Sequence, residues 1–249
     1  MPVKRTIPYN SGMFFITFTC HEWLPLIDKV TGYDIVYNWF DHLKAKGHFI
    51  NGYVIMPNHV HALVTFINTK QSINTIVGNG KRFMAYQIIQ RLQANNEVAL
   101  LQQLSAHVEA ARKANKKQHE VWETSFVPKV FRRKDCRSNE FVWQKLNYMH
   151  SNPCTGKWQL AANPIEYIHS SAKFYLTGVQ GIYPVTNFME MEEVNFNFSK
   201  ATFNQPQRPL PCSKARCSLL GKRTLLGREG SLRVAGKKVQ YLPVKIFSV

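Results

Sequence analysis

Two histidines one residue apart, His59 and His61 in MPNHVHAL (56–63), are the sharpest chemical feature of the chain. Side chains alternate faces along a strand, so His59, His61, Leu63 and Thr65 share one face. Val60, Ala62, Val64 and Phe66 share the other, which is apolar enough to meet a core. Two imidazoles at i and i+2 on an open face are close enough to ligate one divalent ion. The same pattern also arises from two polar histidines at a strand edge with no further role.

The second feature lies some ninety residues on. Val142, Leu146 and Met149 form an apolar stripe at helical spacing over 139–150. Ser138 or Asn139 is the expected cap, and Glu140 falls in the first turn. Tyr148 lies off the centre of that stripe. Asn152, one turn later, projects from the same side. An amide oxygen one turn from a phenol can complete a metal site beside the hydroxyl. Taken alone, the pair equally fits a flanking tyrosine and a C-terminal Asn before Pro153.

These residues need a frame, and the hydrophobic pattern supplies one. Residues 13–19 (MFFITFT) predict a strand, and 23–29 a loop containing Pro25. Ile35, Val36, Trp39, Phe40 and Leu43 predict a helix over 31–46, stopped by Gly47. Residues 50–56 and 59–66 predict two strands paired antiparallel around Pro57-Asn58. Residues 73–92 predict a helix carrying Lys81, Arg82 and Arg91. Residues 93–120 read as a second, more exposed helix with the texture of a surface insertion. FVPKVF (126–131) predicts a further strand, placed at an edge by Pro128. The order β-α-β-β-α…β-α predicts an α+β ferredoxin-like or RRM-like sandwich with an antiparallel sheet, one face packed by helices and the other available for function.

Composition bounds the rest. The chain has 249 residues with 32 Lys plus Arg against 15 Asp plus Glu, a net charge of +17. That excess favours a polyanionic partner, most simply nucleic acid. Residues 200–249 hold eleven Lys and Arg against one acid, Glu229. The chain thus divides into a body, 1–184, and a basic tail, 185–249, expected to be partly disordered or a small DNA-binding extension. No run of about 18 apolar residues predicts a transmembrane helix, and no cleavage site follows residues 13–19. Five cysteines without a CxxC pair support neither a disulfide framework nor a zinc finger. The expectation is a cytoplasmic, nucleoid-associated protein with reduced thiols and no membrane partner.

In combination, GYVIMPNHVHAL (52–63) and QKLNYMHSNP (144–153) resemble the HUH single-strand DNA transposases with one catalytic tyrosine, and more closely their REP-associated tyrosine transposase branch. That branch shows MPNHVH and, further on, Tyr-Ile-His-x-Asn-Pro; Met149 here stands where Ile is usual. EYIHSSAKFY (166–175) resembles its Tyr-x-x-Ser-Ser-Ala segment, and GNGKRFMAYQII (78–89) its Lys-rich helix. The resemblance covers roughly residues 10–180 on this motif-by-motif comparison. There are departures. CTGKW (154–158) replaces the usual Val-Lys/Arg-Ala-Gly, so a phosphate-contacting cation has shifted or gone, and Ala62 takes a position often filled by Leu. The tail matches nothing in the family.

The resemblance implies strand cleavage by transesterification. Tyr148 would attack the scissile phosphate to give a 5′-phosphotyrosine and a free 3′-OH, and the reverse attack would rejoin the strand. A phenol ionises near pH 10, so about 0.1% is phenolate at neutrality. A divalent ion on His59, His61 and Asn152 would stabilise the developing charge. Mn²⁺ suits this mixed set better than Mg²⁺, the abundant cellular ion. Arg132, Arg133 and Lys134, with Lys81 and Arg82, are candidate phosphate contacts for single-stranded or hairpin DNA. A homodimer is one of two oligomeric states the family shows. Two other readings compete: a non-catalytic RRM-like DNA- or RNA-binding module, and a phosphodiesterase using metal and water, which would need an Asp/Glu cluster that the sequence lacks.

Overall fold

The computed structural model describes residues 7, 9–108, 118–123, 129–131, 137–156 and 158–192. Aromatic and β-branched residues make β1 (Gly12–Thr19) a strand with two faces. Phe14, Ile16 and Phe18 enter the main core, while Phe15 belongs to a second apolar cluster. A turn (His21–Trp23) and the one-turn helix α1 (Leu26–Lys29) follow, where the sequence predicts only a loop. Leu26 and Ile27 bury here and draw that turn onto the core. The next helix, α2 (Tyr33–Ala45), buries the five residues its spacing predicts. Gly47, just past its end, takes the left-handed conformation (φ 79°) that stops a helix.

β2 (Phe49–Met56) and β3 (His59–Phe66) form a hairpin closed by Pro57-Asn58, with Met56 opposite His59. Ser72 caps α3 (Ile73–Ala94) by accepting from the Thr75 amide at 3.1 Å. Then come α4 (Val98–Ala106), β4 (Lys129–Phe131), α5 (Arg137–Ser151) and α6 (Ala172–Thr177). The sheet is antiparallel with order β2-β3-β1-β4. With helices between β1 and β2 and between β3 and β4, this is the connectivity of the expected α+β sandwich. β4 lies at the edge, as Pro128 implies.

Some boundaries differ from the sequence expectation. The helix predicted over 93–120 is broken at Asn96, which adopts φ 55°, and resumes as the shorter α4. Residues 109–117 of that stretch lie outside the described residues. Helix α5 begins at Arg137, which puts the expected caps Ser138 and Asn139 inside it. Its end is as expected: Pro153 has no N–H to donate, and the chain passes into a 3₁₀ turn, Asn152–Cys154. Val185, Phe188 and Met191 are buried, so packing runs past residue 184. The basic stretch 193–249 lies outside the described residues. Cys20 and Cys154 are free thiols, and burial pushes Cys20 up to about 12.

The face of the sheet opposite α2 and α3 carries its own smaller core. Val142, Leu146 and Met149 of α5 pack on Phe15, Val54, Met56 and Leu63. Burying each such side chain stabilises by about 1.5–3 kcal/mol. Gly52 permits the close approach. It lies at a register shift in β2, and a Cβ there would come within 2.6 Å of Leu146 Cδ2. Gly52→Ala is therefore expected to lift α5 and destabilise the protein by about 1–3 kcal/mol. Urea unfolding checks this; an unchanged midpoint would contradict it.

The outer edge of β2 is covered by the segment 167–171. Ile55 N donates to His169 O at 2.9 Å, and Ser171 N to Tyr53 O at 3.0 Å. An exposed edge would otherwise invite another strand.

His48 gives the fold a pH dependence. It is buried, and its Nδ1 accepts from the Ile67 amide at 3.3 Å. Burial first, then Lys46 and His42, hold its pKa below the usual histidine range. The unfolded chain therefore takes up this proton at a higher pH than the folded one. Stability from His48 is complete above about pH 6.5 and falls as the pH drops below it, by at most about 1.4 kcal/mol per unit. His48→Gln should flatten this slope in urea titrations between pH 7 and 5.

Candidate active site

The pairing of β1 with β3 sets Thr17 opposite His61 and Thr19 opposite His59. His61 Nδ1 lies 2.8 Å from Thr17 Oγ1. His59 Nδ1 lies 2.7 Å from Asn58 Oδ1. Asn58 Nδ2 donates to Trp23 O at 3.1 Å, which fixes the amide with its oxygen toward His59. His59 Nδ1 is then the donor, and Nε2 carries the lone pair. Each imidazole is thus held by one nitrogen, leaving Nε2 for another partner, the arrangement of metal-ligating histidines.

The rings are close and buried. Their centroids are 4.9 Å apart, Phe15 stacks on His61 at 5.2 Å, and Trp23 meets His59 edge-on at 5.7 Å. His59 is 8% and His61 5% exposed. Burial lowers His59 to about 4. Burial, then the neighbouring His59 and Lys145, lowers His61 to about 3. Both are neutral at pH 7, the form that binds metal.

Helix α5 brings the other half. Phe141, Lys145, Tyr148 and Asn152 follow one another at spacings of 4, 3 and 4, one residue out of step with the core stripe Val142, Leu146, Met149 and Pro153. Packing the core stripe on the sheet therefore turns the neighbouring stripe toward the histidines. Tyr148 meets His61 edge-on at 5.3 Å and is 52% exposed. Asn152 Nδ2 lies 3.5 Å from His59 Nε2. Turning the amide by 180° exchanges Nδ2 for Oδ1, an oxygen donor beside two imidazoles. His59, His61 and Asn152 thus fit a divalent ion as a donor set.

His59, His61, Tyr148 and Asn152 line one cleft of about 360 Å³ together with Lys145 and Trp23. No Asp or Glu lines it. The residues singled out as nucleophile and ligands in the sequence are thus brought together from positions up to 93 apart in the chain. Lys145 is an addition. Its Nζ lies 5.7 Å from the Tyr148 ring centre and 5.6 Å from that of Phe15. Its place three residues before Tyr148 was the available signal. Thr17 and Asn58 carried none, because their partners depend on register.

His150 looks away from the cleft. It is buried, with Nε2 2.9 Å from Ser171 Oγ, which in turn accepts from Tyr53 N at 2.9 Å. The EYIHSSAKFY segment thus ties α5 to the edge of β2 and holds Tyr148 and Asn152 in place. The candidate phosphate contacts fare differently. Lys81 and Arg82 are on α3, which packs on the opposite face of the sheet, and Lys81 Nζ donates to Glu123 O at 3.0 Å. Arg132, Arg133 and Lys134 lie outside the described residues.

No helix among the described residues is long and apolar enough to cross a membrane. No protein-family model matches the chain, and neither does any curated protein. Among solved structures, the chain is similar to a REP-associated tyrosine transposase bound to a REP hairpin, at 14% identity over 85% of this chain and 100% of that one, with a TM-score of 0.49. It is also similar to a candidate transposase from Deinococcus radiodurans R1, at 12% identity over 60% of this chain and 98% of that one, with a TM-score of 0.34.

Proposed function

We propose that the protein is a single-strand DNA transposase or nuclease that cleaves and rejoins DNA through a tyrosine nucleophile, acting on hairpin-forming sequences. One observation carries this reading. A half-exposed tyrosine, two neutral imidazoles oriented through Nδ1, and an amide beside His59 Nε2 converge in one cleft from two separate motifs. Tyr148 Oη attacks the scissile phosphorus and displaces the 3′ oxygen of the upstream nucleotide. The 5′ phosphate remains on tyrosine, and the ester keeps the energy needed for rejoining. At 52% exposure, Tyr148 has a route for its proton to bulk water.

His59, His61 and Asn152 would hold a divalent ion, Mn²⁺ or Mg²⁺. When bound, it supplies Lewis-acid stabilisation of charge on the phosphate. The chain's own residues do the rest. Thr17 and Asn58 orient the imidazoles. Lys145 places positive charge beside the phenol ring and the incoming phosphate. α5 fixes the line of attack.

The competing readings fit the cleft less well. An RRM-like binder uses exposed rings on an open sheet as stacking platforms. Here Phe15 is buried against His61, and α5 covers part of that face. Hydrolysis by metal and water would need further ligands, and no carboxylate lines the cleft to supply one.

Covalent trapping tests the proposal. The protein is incubated with labelled single-stranded hairpin oligonucleotides in Mn²⁺ or EDTA and run on denaturing gels. An adduct formed in Mn²⁺ and lost in EDTA is expected. Equal gel shifts in both conditions with no adduct would overturn the proposal in favour of a non-catalytic binder.

A further inference from the structure

A second group of metal-ligating side chains lies outside the cleft, at the turn that carries Trp23. One ligand atom from each of His21, Glu22 and His107 lies within 4.8 Å of those of the other two. His107 Nε2 is 3.1 Å from Glu22 Oε1, and the two imidazole rings are 4.9 Å apart. We propose that His21, Glu22 and His107 form a divalent metal site of the Zn²⁺ class, separate from His59 and His61, that clasps the end of α4 to the turn beside the cleft.

The surrounding contacts favour a site over an exposed ion pair. His107 Nδ1 lies 2.8 Å from Gln103 O, a pure acceptor, so Nδ1 is the protonated nitrogen and Nε2 carries the lone pair in neutral imidazole. His21 Nδ1 lies 3.4 Å from Glu123 Oε1, a carboxylate on the far side of the ring from Nε2. His21 Nε2 itself is buried and has no hydrogen-bond partner. A buried imidazole nitrogen without a partner is uncommon and calls for one. Glu22 is oriented in the same way. Its Oε2 accepts from Gln103 Nε2 at 3.0 Å, leaving Oε1 toward the imidazoles. All three candidate ligands are thus steered by outer contacts, with a carboxylate and a carbonyl behind the two histidines, the usual support of metal-bound imidazole.

The backbone serves the same arrangement. Glu22 and Trp23 both adopt left-handed conformations (φ 50° and 58°), which L-residues rarely take in succession. Glu123 Oε1 also accepts from Glu22 N at 2.8 Å and so holds that turn. Two imidazoles and one carboxylate with a fourth position open to solvent suit Zn²⁺. Glu22 is the direct neighbour of Trp23, which packs on His59. An ion here would therefore stiffen one wall of the cleft without entering it.

This inference does not depend on the transposase proposal, and its test isolates it. Full-length protein is stripped of metal, dialysed against Zn²⁺ and analysed for bound metal, with Co²⁺ absorption as a second readout. The His59→Ala/His61→Ala variant is expected to retain one Zn²⁺ per chain. Adding His107→Ala should remove it. Glu123→Gln, which keeps all three ligands, should weaken it about tenfold or more. Glu22→Gln replaces His107→Ala if the latter fails to fold, as judged by circular dichroism. A folded His59→Ala/His61→Ala variant that binds no Zn²⁺, or retained Zn²⁺ after loss of His107, would overturn the proposal and leave a surface ion pair.

Discussion

Tyr148→Phe is expected to abolish the covalent protein–DNA adduct while leaving the fold and oligonucleotide binding almost unchanged. Tyr148 is half exposed, its ring meets His61 edge-on, and no hydrogen bond to its hydroxyl is present among the described residues. Phenylalanine keeps that ring contact and the Lys145 ammonium beside it. The stability change should stay within about 0.5 kcal/mol. Chemistry, by contrast, loses its nucleophile outright, and adduct formation should fall by about 10⁴-fold or more. Parallel binding and trapping assays separate the two effects. A Tyr148→Phe protein that still forms adduct at near wild-type rate would sink the assignment. Equal loss of binding and adduct would mean that the tyrosine only holds DNA.

How much of this was legible beforehand depends on what each residue's position depends on. Strand 59–66 matches its expected bounds, and 13–19, 50–56 and 73–92 need only a residue or two added at an end. In each case the side-chain period is local and strong. His59 and His61 could be placed on one face for the same reason. Thr17 and Asn58 could not. Nothing about a threonine in a β-strand marks it until strand pairing sets it opposite a residue 44 positions away. Trp23 was hidden by its left-handed turn, which no hydrophobic period announces. That α5 lies on the sheet's second face follows from Gly52 and the bulge at that point. A glycine in a strand hints at close approach but does not say of what. Lys145 is the instructive miss, because it shares the stripe of Tyr148 and Asn152 and needed only the same spacing rule.

His61→Ala and Thr17→Val should separate holding a metal from orienting its ligand. In His61→Ala one donor is gone, and the remaining imidazole and amide form an incomplete set. Mn²⁺ affinity at the cleft is expected to fall by more than about 100-fold, beyond the usual loss of an outer contact. Adduct yield should fall with it and stay low at any practical Mn²⁺ concentration. Thr17→Val keeps a β-branched residue of the same shape in β1 but removes the partner of His61 Nδ1. The ring, 5% exposed and stacked on Phe15, then keeps its place but loses the contact that holds its Nδ1. Mn²⁺ affinity should drop by about 10–100-fold. Because all donors remain, high Mn²⁺ should restore adduct formation to the wild-type plateau. Adduct yield against Mn²⁺ would thus show a rightward shift for Thr17→Val and a depressed plateau for His61→Ala. Superimposable curves for Thr17→Val and wild type would remove threonine from the site. A depressed plateau for Thr17→Val would mean that His61 contributes to the chemical step itself, beyond holding the ion.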